Sequence, residues 1–178
     1  MQAALEQAFQ KMEHWRSIMQ ALVASHSPEA QRFRPGIGEW SMLQVMKHLI
    51  IAETGILNAI KKSLQRPQLQ DNGFMQKASY LLTQTILRLP VKIKAPVQAL
   101  IPNEETDYDK VVAEWDLLRA EWRDMLESFP PELLNKNIFR HPVAGFFSIH
   151  QSIDFCCYHI KHHLQQIDRI TEALKKQR

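Results

Sequence analysis

The sequence predicts an all-α protein, a four-helix bundle with a long crossover and short additional helical pieces. Three observations carry that expectation. Four long segments place apolar side chains at the 3.6-residue period of a buried helix face, and two of these segments open on the same Ser-x-x-Gln signature. Neither an internal repeat nor a low-complexity tract points to a solenoid or a second domain, so residues 1–178 are read as one domain.

The first helix spans residues 2 to about 25, where Leu5, Phe9, Met12, Trp15, Ile18, Met19 and Leu22 recur at helical spacing. Pro28, Pro35, Gly36 and Gly38 cannot continue it, because proline lacks a backbone donor and glycine is entropically costly in a helix; residues 26–39 are expected to be loop. Ser41 and Gln44 form a capping box for a second helix that runs to about Leu64, with Trp40 and Val45 as a hydrophobic staple. Asp71 or Asn72 opens a third helix through Leu81, Ile86 and Leu87, ending near Pro90. Prolines 90, 96 and 102, with the alternation Val91-Lys92-Ile93-Lys94, favour an extended crossover over residues 90–103. Thr106 opens the next helix through Val111, Trp115, Leu118, Trp122, Met125 and Phe129, which Pro130 and Pro131 close. Residues 132–147 read as turn and loop. Ser148 and Gln151 repeat the capping box and start a last helix that keeps its period to Leu174, with Lys175 and Lys176 in the favourable place beside its C-terminus.

Composition excludes several classes. At 45% hydrophobic and 23% charged residues the chain is neither disordered nor collagenous. The surface scaling of folded proteins lets a chain of this size hide ~70% of its surface, enough for a core without staples. No apolar run reaches the ~18 residues needed to cross a bilayer, and residues 1–10 lack the layout of a secretory signal, so a cytoplasmic protein is expected. Lys and Arg number 22 against 19 Asp and Glu, for a net charge of +3, and the signs are interspersed; no basic stripe suggests nucleic acid. The only cysteines, Cys156 and Cys157, are neighbours and cannot close a useful loop.

Histidine is the unusual residue: eight in all, with His150, His159, His162 and His163 inside fourteen positions. At 100° per residue with Cys156 as zero, Ile149, Ile153, Ile160, Ile167, Ile170 and Leu174 fall within about 60° of that direction. His163 lies at about −20° and His159 at about −60°, both inward, while His162 near −120° belongs to the outer flank. His159 and His163 are i and i+4, so their rings sit one turn apart and can converge on one ion. A catalytic zinc takes three protein ligands, and His48 is the candidate third: with Leu49 as zero in the second helix it falls near −100°, at the edge of the buried stripe beside small Ala52. Glu53, near +40°, lies inside that stripe and needs a partner, either a metal-bound imidazole or an arginine. On spacing alone packing explains these residues better than ligation does, since core histidines with a satisfied nitrogen are common. His14, His26 and His150 read as surface or helix-terminal residues, and Cys156, at the centre of a buried stripe, as inert packing.

The same residues resemble a known family. Arg34-Pro35-Gly36-Ile37-Gly38-Glu39-Trp40-Ser41, then Val45, His48-Leu49 and Glu53, is similar to the glycine-Trp-Ser loop and first-histidine helix of the DinB-like (DinB/YfiT) superfamily. His141-Pro142, Gly145, Ser148, Phe155 and His159-x-x-His162-His163-x-x-Gln166-Ile167 resemble its His-Pro-x-x-Gly turn, capped helix and His-x-x-His-His-x-x-Gln-Ile ending. These motifs cover about a quarter of the chain, in the family's order. The resemblance implies an up-down-down-up four-helix bundle in which His48, His159 and His163 bind a divalent metal, the triple that helical phasing also selects. It further implies a homodimer acting on a small-molecule substrate, as a hydrolase or as an S-transferase or isomerase using a low-molecular-weight thiol. The proline-rich segment 90–103 has no counterpart in the family's motifs.

On three neutral imidazoles, Zn or Ni keeps at least one open coordination position, where a water or thiol is acidified. The expected function is therefore a metal-dependent hydrolase or low-molecular-weight-thiol S-transferase with no side-chain nucleophile. His141 either faces the site from its loop or stabilises the turn before Pro142. The alternative is a non-catalytic, metal-stabilised bundle that serves as a binding or dimerisation module, which a fourth protein ligand such as His162 would favour.

Overall fold

The computed structural model describes residues 1–88 and 107–176; the crossover expected over residues 90–103, and Thr106, lie outside the described residues. Helices α1 (Ala3–Ala24), α2 (Pro28–Arg32), α3 (Met42–Leu64), α4 (Phe74–Arg88), α5 (Tyr108–Glu127) and α6 (Ile149–Lys175) are joined by one 3₁₀ turn, Pro131–Leu133, and a small antiparallel hairpin of β1 (Phe139–His141) and β2 (Gly145–Phe147). The long helices α1, α3, α5 and α6 form the bundle: α6 packs on α1 and α3, and α5 packs on α3 and α1. Helix α4 and the hairpin cover a further side of α6. Among the described residues no helix is long and apolar enough to cross a membrane.

The two capping boxes form as expected. Ser41 Oγ accepts from the Gln44 backbone N–H at 3.2 Å while Gln44 Oε1 accepts from the Ser41 N–H at 3.0 Å, and Ser148 with Gln151 repeats the pair at 3.3 and 2.8 Å. Each box satisfies two donors that a helix start otherwise leaves orphaned. The core between the helices is filled by Trp115, Trp122, Leu5, Met12, Met19, Met42, Met46 and Leu49, all fully buried.

Three segments depart from expectation. Residues 26–39 are not all loop: Ser27 caps α2 through the Ala30 N–H at 3.3 Å, and Pro28 takes the first helical position, where its missing donor costs nothing. Asp71 and Asn72 do not cap the third helix. The Asn72 N–H donates to Asn135 O and the Asn137 N–H to Gln70 O, each at 2.8 Å, so this stretch pairs with the chain following α5 and α4 starts at Phe74. Residues 132–147 contain the hairpin, whose three-residue loop 142–144 is followed at the start of β2 by Gly145 at φ +81°, a left-handed conformation that glycine adopts without steric cost.

Candidate metal centre

Two helices bring the site together. α3 begins at its capping box, so His48 lies two turns into the helix; α6 supplies His159 and His163 one turn apart. His159 Nε2 is 3.2 Å from His48 Nε2, 111 residues earlier in the chain, and 3.1 Å from His163 Nε2. The ligand atoms of the three residues all lie within 4.8 Å of one another. Zinc–imidazole bonds of about 2.0–2.1 Å in a tetrahedral site put two ligand nitrogens about 3.3 Å apart, so the observed spacing suits one small cation. Hydrogen bonding alone does not account for it. An imidazole nitrogen carries either one proton or one lone pair, so His159 Nε2 makes a well-aligned bond with only one of its two neighbours at a time.

Burial keeps the two α6 rings, His159 and His163, in the ligating form. Burial lowers His159 well below the ordinary histidine value, with the His163 and His48 rings adding to the effect. His163 is pushed down to about 3, again chiefly by burial and then by His48. Both are therefore neutral at pH 7, the state in which imidazole offers a lone pair. A testable consequence concerns the chelator-treated protein. Unfolded histidines take up protons near pH 6.5 and these folded ones do not, so the folded state binds fewer protons below that point and stability falls as pH drops toward about 3. The urea midpoint is expected to decline already between pH 7 and 5, above the range in which carboxylates titrate. A flat midpoint there would contradict the buried neutral assignment.

Aromatic rings wall the cluster. Trp40 lies tilted against His48 with centroids 4.8 Å apart and stacks on His163 at 6.5 Å and 21°. Phe155 stacks on His159 at 5.5 Å, and His141 meets Phe155 edge-on at 4.9 Å. The sequence assigns Trp40 to a staple and leaves Phe155 without a role; both belong to the site, and the i−4 spacing of Phe155 from His159 is the signal that was available for it. Gln166, quoted only as part of a motif, places Oε1 2.8 Å from His163 Nδ1.

The remaining candidates resolve as follows. His162 is not on an outer flank: it is buried, its ring 5.3 Å edge-on to His163. α6 is covered by α1, α3, α4 and β2, so its buried arc is wider than a single stripe. His162 is nevertheless outside the three-histidine group, which gains no fourth His, Cys, Asp or Glu among the described residues. His141 stabilises its turn, Nδ1 accepting from the Val143 and Ala144 N–H groups at 3.2 and 3.0 Å. Glu53 pairs with an arginine: Arg119 bonds both carboxylate oxygens at 2.6 and 3.1 Å, and Trp115 Nε1 donates to Oε2 at 2.8 Å. Arg119 also pairs with Glu13 at 2.6 Å, Glu13 with Arg16 at 2.7 Å, and Arg16 with Asp116, tying α3, α5 and α1 together. Burial opposes the Arg119 charge, yet Glu53 and Glu13 outweigh it and hold its pKa above the usual value. Cys156 and Cys157 are free and buried; burial raises Cys156 well above the ordinary thiol value and Cys157 to about 12, so neither is a thiolate nucleophile.

Comparison with known proteins identifies the family and the fold. The sequence profile of the DinB superfamily matches residues 11–167. Among solved structures the fold is similar to that of YfiT from Bacillus subtilis, described as a probable metal-dependent hydrolase with an unusual four-helix bundle topology. The TM-score is 0.62 at 17% identity, covering 97% of this chain and 86% of that one. None of the curated proteins searched is a significant match.

Proposed function

The chain belongs to the DinB superfamily, and from that premise we propose that it is a metal-dependent enzyme acting on a small molecule, with His48, His159 and His163 holding one divalent cation, Zn or Ni. The observation that carries the reading is the meeting of imidazole nitrogens from His48, His159 and His163 within 4.8 Å of one another. A cation bound by three neutral ligands supplies Lewis acidity, lowering the pKa of a water or thiol that takes an open coordination position. The chain's own contribution is to hold His159 and His163 neutral by burial, to fix the approach of the three rings through α3 and α6, and to shield them with Trp40 and Phe155. Its buried thiols stay protonated, so neither cysteine supplies the nucleophile, and in this proposal that part falls to the water or thiol on the cation.

Hydrolysis and transfer of a low-molecular-weight thiol to an electrophile are the two reactions this chemistry serves. The absence of a fourth candidate ligand among the described residues supports catalysis over a closed structural site. Elemental analysis of the purified protein, followed by ester and thiol-plus-electrophile panels, tests the reading. Near-stoichiometric metal is expected, with turnover that a chelator abolishes and added Zn or Ni restores. Stoichiometric metal without turnover in either panel favours the non-catalytic module, and a protein that takes up no metal at all refutes the centre itself.

A further inference from the structure

We infer that Gln166 is a positioning residue: its side-chain oxygen sets the tautomer of His163 so that the Nε2 lone pair faces the three-histidine cluster. The inference rests on the metal-centre reading and extends it to a residue outside the ligand set.

The two nitrogens of His163 have different surroundings. Nδ1 lies 2.8 Å from Gln166 Oε1, and Nε2 lies 3.1 Å from His159 Nε2. A neutral imidazole carries one proton, and which nitrogen holds it is decided by what the other ring atom meets. An amide oxygen only accepts, so it draws the proton to Nδ1 and leaves Nε2 bare. The opposite orientation of the carboxamide would present NH₂ to Nδ1, move the proton to Nε2 and aim an N–H into the cluster. That tautomer cannot ligate through Nε2.

The local geometry makes the contact dependable. Gln166 follows His163 by three positions on α6, the spacing at which helical side chains meet, and His163 is buried. Burial removes water as a competing partner for Nδ1, so the amide has no cheap substitute there. The consequence is energetic as well as geometric. A ring already in the ligating tautomer does not have to move its proton when the cation arrives, and partners of this kind are typically worth about 10–100-fold in metal affinity.

The test uses the full chain in two measurements. Long-range ¹H–¹⁵N spectra of the metal-free wild-type protein report the His163 tautomer directly; a proton on Nδ1 is expected, and one on Nε2 overturns the inference without any variant having to fold. Competition with a chromophoric chelator then compares Zn affinity. Gln166→Leu is expected to weaken binding about 10–100-fold, while Gln166→Glu, which keeps an acceptor at that place, binds at least as tightly as wild type. Affinity of Gln166→Leu within twofold of wild type, with its circular dichroism unchanged, defeats the proposal. Should the wild-type protein bind no Zn, the metal-centre reading fails by itself, while the tautomer measurement still decides the assignment of Gln166.

Discussion

His159→Ala is expected to leave the purified protein with less than about a tenth of the metal that the wild type carries, because it removes the nitrogen that both other candidate ligands approach. Thermal unfolding gives a second reading. A ligand at a thousand times its dissociation constant stabilises the folded state by about 4 kcal/mol, and for a chain of this size each kcal/mol is worth roughly 2–4 °C in Tm. Chelation is therefore expected to lower the wild-type Tm on the order of 10 °C and to leave His159→Ala almost unmoved. His150→Ala, in the first turn of the same helix and outside the three-histidine group, serves as the control and should retain the metal. Full metal content in His159→Ala would falsify the three-histidine centre.

Arg119→Met is expected to cost about 3–5 kcal/mol of stability, with no direct effect on the metal ligands. Arg119 and Glu53 are 3% and 1% exposed, so removing the guanidinium strands a carboxylate in the core with Trp115 Nε1 as its remaining donor among the described partners. Glu13 is less affected because its side chain is 26% exposed and can regain water. The double variant Glu53→Leu/Arg119→Met is expected to recover most of the loss, since replacing a buried pair by apolar groups of similar size is often neutral or better. Urea unfolding of the two single variants and the double variant measures this. A double variant as unstable as Arg119→Met would mean that packing, and not the uncompensated charge, sets the cost.

Much of the metal centre was legible because it sits on the two helices with the clearest local signals. Capping boxes at Ser41 and Ser148 fix where α3 and α6 begin, and phase along each helix then aims His48, His159 and His163 without any tertiary information. What phase cannot tell is how many neighbours a helix has, so it sends His162 outward although the ring is buried. Partner choice was likewise out of reach for Glu53: the arginine lies 66 residues away on another helix, and nothing local distinguishes it from an imidazole. The hairpin leaves no signal in the sequence because strands of three residues are too short to show a period. Trp40 and Gln166 had signals in the sequence, but a staple position and a helical i+3 spacing are common enough that neither marks a site by itself.

The separation of 111 residues between His48 and His159 has a kinetic side. Closing so long a stretch of chain is entropically expensive and slow compared with forming either helix, so a cation can be captured by all three rings only after α6 has docked on α3. Uptake of the ion then cannot outrun maturation of the bundle. Once seated, it acts as a clasp between distant parts of the polypeptide, resisting their parting more than the fraying of any single helix.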